Sequence, residues 1–179
     1  MNTTEPDFDL IAKVRRFFQQ LDENGEGVIT EEHLQEALLD ICDCDDQRTI
    51  DYIIRYITEN YGSRDGKFNL QQFYEVYRLI GQLMFTFNKF GSNRLRKEQV
   101  KSVLSQFGWS DLSDLTINSI FETFDTSKRK SLNLLEYIRM CLALWEMTKI
   151  FKRRDVNQTG VIVIDYQEFI RCICKFMNK

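Results

Sequence analysis

The sequence predicts an all-α fold of five helix–loop–helix units, with short β pairings between their loops. Three observations predict it. Apolar residues recur every three or four positions along most of the chain, five stretches share a polar loop pattern, and the gaps between those stretches alternate between long and short. At 179 residues, 43% of them hydrophobic, the chain is long enough to bury a core.

The most informative stretch lies near the C-terminus and starts Asp155-Val-Asn157-Gln-Thr159-Gly160. Alternating oxygen-bearing side chains with glycine in sixth place are typical of a helix–loop–helix Ca²⁺ loop, in which glycine permits the sharp turn. A glutamate should close the loop in twelfth place, but Glu168 comes two residues later. We call residues 155–168 loop five.

Four earlier stretches follow the same pattern with a closing residue in twelfth place. They are loop one (22–33), loop two (61–72), loop three (88–99) and loop four (125–136). Each has a hydrophobic residue in eighth place, where short strands pair two loops. These residues are Ile29, Phe68, Leu95 and Leu132.

The spacing between loops predicts which helices are shared. The long gaps hold 27 residues between loops one and two and 25 between loops three and four, enough for two helices and a turn. The short gaps hold 15 residues between loops two and three and 18 between loops four and five. Each short gap fits one continuous helix that leaves one loop and enters the next.

The loops differ in how well they suit Ca²⁺, which needs six to eight oxygen ligands. Loop one has five acids and no lysine or arginine, but His33 takes the twelfth place. Loop two has Tyr61 and Gln72 at its ends, and loop three has four cations against one acid. Loop four has acids at both ends, with Arg129 and Lys130 in fifth and sixth place.

Loop one is therefore the better candidate Ca²⁺ site and loop four the weaker one. The candidate ligands of loop one are Asp22, Asn24, Glu26, Val28 and Thr30. Those of loop four are Asp125, Ser127, Asn133 and Glu136. Any of the five loops could instead keep only its architectural role of pairing hands, without metal.

The stretched fifth loop and the alternating gaps resemble the penta-EF-hand family, over about residues 8–177. The resemblance implies a single domain over 8–179 after a polar tail, 1–7. Its hands would be EF1 (8–42), EF2 (48–83), EF3 (73–107), EF4 (113–151) and EF5 (137–177). It also implies Ca²⁺ binding and dimerisation through the fifth hand.

The residues of the fifth hand favour the same interface. EF-hands pair two by two, so five hands leave one without a partner, and the leftover unit is strongly apolar. The residues predicted to form the interface are Val161, Ile162, Val163, Ile164, Phe169, Ile170, Ile173 and Phe176. The partner would be a second copy, giving a homodimer, or another penta-EF-hand protein, giving a heterodimer.

Composition excludes several other functions. A net charge of −3 gives no reason to expect nucleic-acid binding. A zinc site needs about four ligands, and His33 is the only histidine beside five cysteines, which we expect to be reduced thiols. The polar N-terminus is not a signal peptide, so a cytoplasmic location is expected. The sequence has no phosphate-binding loop and no nucleophile with a candidate base nearby, so nothing in it indicates an enzyme.

Three hypotheses about function follow. The first is a Ca²⁺-responsive dimeric adaptor for target proteins or peptides, with degenerate loops and weak Ca²⁺ affinity. The second is a Ca²⁺-independent scaffold or dimerisation module. The third, implied by the family resemblance, is a regulatory subunit of a larger, calpain-like enzyme. Peripheral membrane association stays open.

Overall fold

The computed structural model describes residues 8–41, 46–91 and 93–177, and within them it contains eight helices and four two-residue strands. The helices are α1 (Phe8–Leu21), α2 (Glu31–Ile41), α3 (Gln47–Tyr61), α4 (Leu70–Phe90), α5 (Lys97–Gln106), α6 (Asp114–Phe124), α7 (Leu134–Arg154) and α8 (Tyr166–Met177). The strands are β1 (Val28–Ile29), β2 (Phe68–Asn69), β3 (Leu95–Arg96) and β4 (Ser131–Leu132). The predicted all-α fold class is confirmed. The polar tail predicted over 1–7 lies outside the described residues.

The strands join the loops in pairs. β1 pairs with β2 and β3 pairs with β4, both antiparallel. The eighth-place residues face each other in each ladder, Ile29 opposite Phe68 and Leu95 opposite Leu132, and all four are fully buried. Burial of these four side chains favours strand pairing whether or not the loops bind a ligand. The pairing of the loops therefore does not require a particular sequence in the rest of each loop.

The two shared helices are present as continuous elements. Helices α4 and α7 have 21 residues each, and each runs from the end of one loop to the start of the next. Helix α4 begins with a reciprocal cap, in which Asn69 accepts from the backbone N–H of Gln72 and the Gln72 side chain accepts from that of Asn69. This bond pair closes loop two and starts the helix at the same point.

Contacts divide the chain into two compact units, Met1–Arg139 and Met140–Lys179. In the first unit α1 packs on α4, and α3 packs on α2 and α4. The α1–α4 contact is aromatic, since the ring of Phe73 lies 5.9 Å from that of Phe17 and 5.7 Å from that of Phe18. The second unit contains the remainder of α7 and the whole of α8. Among the described residues, no helix combines the length and apolarity needed to cross a membrane.

Candidate functional site in the five loops

The aspartate in first place has the same role in loops one, four and five. Each of Asp22, Asp125 and Asp155 accepts hydrogen bonds from the backbone N–H groups of the fifth and sixth residues of its own loop, at distances between 2.8 and 3.0 Å. Each bond uses a different carboxylate oxygen. The first-place carboxylate therefore folds the loop around itself through hydrogen bonds of the protein alone.

The sixth residue needs a left-handed backbone, and loop four meets that need without glycine. Gly27, Gly66 and Gly160 have φ values of 74°, 74° and 75°. Lys130 adopts the same region with a φ of 55°. A left-handed conformation costs a non-glycine residue about 1 to 2 kcal/mol, so loop four carries strain in its sixth place that the other three loops avoid there.

The twelfth residue accepts a hydrogen bond from the ninth residue's backbone N–H in each of the four paired loops. The donor and acceptor residues are Thr30 and His33, Asn69 and Gln72, Arg96 and Gln99, and Asn133 and Glu136. The distances run from 2.7 Å in loop three to 3.1 Å in loop one. From the sequence alone the twelfth place is interpreted only as a metal-ligand position, although its spacing of three residues from the ninth place is also that of a helix cap.

The candidate ligands of loop one are partly engaged by the protein and partly exposed. Asp22 has both oxygens engaged by backbone N–H groups, while Asn24 and Glu26 are exposed. The ring nitrogen Nδ1 of His33 accepts the Thr30 N–H at 3.1 Å, so the closing position offers no oxygen pair. Within the described residues, no group of three or more His, Cys, Asp and Glu side chains is placed to hold a metal ion.

Glu136 in loop four is surrounded by donors from the protein itself. Its side chain is only 1% exposed. One oxygen accepts from the Thr126 hydroxyl and the Ser127 N–H, both at 2.9 Å, and the other accepts from the Asn133 N–H at 2.8 Å and from Arg94 at 3.4 Å. A carboxylate has about four lone-pair sites, so its acceptor capacity is filled and the set does not fit Ca²⁺.

The other candidate ligands of loop four are also engaged. Asn133 accepts the backbone N–H of Glu136 at 2.8 Å and so caps α7. The Ser127 hydroxyl lies 3.4 Å from Asp125 and accepts from Arg94 at 3.1 Å. The structure therefore brings all four predicted residues of this loop together. Two of them, Ser127 and Glu136, bond to Arg94, which the sequence indicates only as one of the cations of loop three.

Loop five ends in a cluster of arginine and glutamate. Glu168 accepts hydrogen bonds from Arg154 on one oxygen and from Arg171 on the other, the latter at 2.9 and 3.1 Å. These contacts, that of Arg154 first, lower the pKa of Glu168. Hydrogen bonds from the backbone of Gly160 and Thr159 likewise lower the pKa of Asp155. The two ends of loop five thus have separate partners within their own unit.

The predicted interface residues of the fifth hand lie largely in solvent. Val163 is 97% exposed and Phe169 47%, and Val161, Ile170 and Ile173 are exposed as well. Ile162 and Ile164 are half-buried, and residues 161–164 form no strand with any part of the chain that the structure describes. The side chain of Phe176 lies outside what the structure describes.

An apolar cavity of about 350 Å³ lies in the first unit, among the helices that flank loops one and two. Its lining includes Phe17, Leu38, Ile57 and Met84, and Gly81 of α4 contributes to the lining as well. A Cβ added at Gly81 would meet no atom within 4 Å. The cavity is therefore large enough for an apolar side chain or two and is open at that glycine.

Comparison with known proteins gives a consistent set of relatives. Sorcin of Mus musculus is 29% identical over 111 residues, which cover 60% of this chain and 54% of sorcin. The calcium-binding protein CBP of Oryza sativa subsp. japonica is 25% identical over 165 residues, covering 89% of this chain and 55% of that protein. Peflin of Xenopus laevis is 23% identical over 159 residues, covering 86% and 55%. The chain thus spans about half the length of the curated relatives it matches.

The fold is shared with a solved structure. A homolog of programmed cell death 6 protein from Leishmania major Friedlin superposes with a TM-score of 0.69 and 21% identity, over 90% of this chain and 92% of that one. No family model matches the sequence. The resemblance drawn from the stretched fifth loop is confirmed by relatives that belong to the penta-EF-hand family.

Proposed function

We propose that this homologue of the penta-EF-hand proteins sorcin and peflin is a dimeric, non-enzymatic adaptor whose Ca²⁺ response is weak and confined to loop one. The relatives support Ca²⁺ as the family's ligand, one of them being named a calcium-binding protein. The charges of the loops support the restriction to loop one, which has five acids and no lysine or arginine. Loop four, in contrast, carries three cations of its own, and its closing Glu136 is bonded to Arg94.

The exposed apolar face of the fifth hand carries the adaptor proposal. Phe169, Ile170 and Ile173 lie at helical spacing on α8 and are all exposed. An apolar face of this kind favours association with a matching surface, and a two-fold contact between two fifth hands would close on itself. A related penta-EF-hand chain would serve as the partner equally well.

Sedimentation equilibrium of the purified chain tests the dimer. The expected mass is about twice the 21.4 kDa of one chain. Phe169→Asp with Ile173→Asp should give monomer, because two charges would be buried at the contact. The control replaces Leu115, an exposed apolar residue of α6, with Asp and should stay dimeric. A wild-type chain that is monomeric at micromolar concentration would exclude the homodimer.

The cavity of the first unit supports binding of an apolar target segment. Gly81→Leu should fill it without a clash, since the glycine has open space around it and leucine favours the helix. We expect an apolar fluorescent dye to bind the wild type and to bind this variant less. The control is Gln71→Leu, which adds a leucine on the exposed side of α4. Gly108→Leu would not serve as a control, because Gly108 has a φ of 90° and leucine would be strained there. Equal dye binding by wild type and Gly81→Leu would contradict the proposal.

Calorimetric titration tests the Ca²⁺ part. One weak binding event is expected for the wild type and none for Asp22→Ala. The second candidate function, a scaffold that needs no Ca²⁺, is favoured by the self-sufficient bonds at the twelfth places of the paired loops. No heat of binding in the wild type, with the dimer intact, would favour that scaffold.

A further inference from the structure

Arg94 reaches loop four from the neighbouring loop. It occupies the seventh place of loop three, directly before Leu95, which lies opposite Leu132 in the β3–β4 ladder. The antiparallel register therefore places Arg94 beside the residues that close loop four. Its Nε donates to the Ser131 hydroxyl at 2.7 Å, and its Nη2 donates to the Ser131 carbonyl at 2.6 Å.

The acceptors of Arg94 are the oxygens that an ion would use. In a Ca²⁺ loop the third, seventh and twelfth places supply a side-chain oxygen, a backbone carbonyl and the closing carboxylate. Those places hold Ser127, Ser131 and Glu136, and Nη2 of Arg94 lies 3.1, 2.6 and 3.4 Å from their oxygens. We propose that the Arg94 guanidinium is the resident cation of loop four and excludes Ca²⁺ from it.

The burial of the pair supports a permanent contact. The Glu136 side chain is 1% exposed and that of Arg94 is 29% exposed. A buried carboxylate without a cation is strongly destabilising, whereas a guanidinium with several fixed acceptors is held in one geometry. An incoming Ca²⁺ would have to displace Arg94 and also strip the Thr126, Ser127 and Asn133 donors from Glu136.

The first loop pair shows that the contact is not a general feature of the fold. The seventh place of loop one holds Val28, which corresponds to Arg94, and the closing residues of that pair are His33 and Gln72. No cation is needed where no buried carboxylate closes the loop. The inference rests on one part of the proposed function, the statement that loop four binds no Ca²⁺, and it names the reason why.

The test uses chains in which only Arg94 decides whether loop four binds. The parent carries Asp22→Ala to silence loop one. It also carries Arg129→Asp and Lys130→Gly, which remove two of the three cations of loop four itself and relieve the sixth place, while Lys128 is the same in every chain. Adding Arg94→Ala should make the full chain bind Ca²⁺ at least about tenfold more tightly than the parent. The reason is that the positive charge of Arg94, at contact distance, repels a divalent cation and lowers its affinity. Adding Arg96→Ala is the control, because Arg96 is exposed and lies only two residues beyond Arg94, in β3.

Calorimetric Ca²⁺ titration of these three chains decides the inference. Equal affinity in the parent and the Arg94→Ala chain, binding in neither, or an equal gain from Arg96→Ala would overturn it. Loop one is measured separately in the wild type, so failure of the weak Ca²⁺ response is distinguished from failure of the Arg94 assignment.

A second measurement serves if the Arg94→Ala chain does not fold. Arg94→Gln and Glu136→Gln are made singly and together in a chain that carries Trp145→Phe, and unfolding is followed in EDTA by Trp109 fluorescence. Removing both charges should cost less than the sum of the single losses, because each single variant leaves one charge unpaired. Additive losses would overturn the assignment.

Discussion

The two loop pairs have the same architecture and are closed by different chemistry. Both use a short antiparallel ladder with buried eighth-place residues, and both bond the ninth-place N–H to the twelfth side chain. The first pair closes with His33 and Gln72, neither of which is a carboxylate, while the second retains Glu136 and supplies Arg94 as its cation. The architecture thus tolerates any acceptor in twelfth place, but a retained carboxylate needs a positive partner.

The largest expected difference between the pairs is in stability. Glu136→Ala should cost about 3 kcal/mol in EDTA, because it leaves Arg94 unpaired and several donors unsatisfied. Gln72→Ala, the matched change in the first pair, should cost about 1 kcal/mol, as the loss of a helix cap does. Chemical denaturation of both variants measures the losses. Equal losses would show that the Arg94 contact adds nothing to the cap.

Sequence reasoning predicted the fold better than it predicted the chemistry of loop four. The eighth-place residues and the alternating gaps were sufficient for the helices and the ladders, since both depend on local periodicity. The contact between Arg94 and Glu136 joins residues 42 positions apart, and it depends on the register of β3 against β4. A loop-by-loop reading assigns Arg94 to loop three, where it only adds charge, and so it could not identify the partner of Glu136.

The second prediction converts loop one by a single substitution. His33→Glu should keep an acceptor for the Thr30 N–H and add the missing closing oxygen, raising Ca²⁺ affinity by at least about tenfold. Gln72→Glu is the matched control and should give no such gain, because loop two starts with Tyr61. Calorimetry measures both, and Asp22→Ala should abolish the gain. An unchanged affinity in His33→Glu would mean that another feature, such as the exposed Glu26, limits the site.

A smaller effect is expected where the pairs differ in sixth place. Lys130→Gly should stabilise the chain by about 1 kcal/mol or less, because glycine removes the left-handed strain but adds entropy to the unfolded chain. Gly27→Ala, at the same place in loop one, should destabilise it by about 1 kcal/mol. Thermal unfolding compares the two. A loss of stability in Lys130→Gly would mean that the lysine side chain contributes more than its backbone strain costs.

The smallest effect concerns loop five, which pairs with no other loop among the described residues and closes with partly exposed ion pairs. Because Arg154 and then Arg171 hold the pKa of Glu168 below its ordinary value of 4.5, the charged form is favoured in the folded state. The resulting stability is fully present above pH 4.5 and is lost as the pH falls through the lowered pKa.

Trp145 fluorescence in a Trp109→Phe chain should report this acid transition of the second unit. Glu168→Gln should remove part of it and leave the part due to Asp155, whose pKa is lowered as well. Arg154→Gln should weaken it more than Arg171→Gln does, and the reverse order would show that the contact with Arg171 is the stronger one.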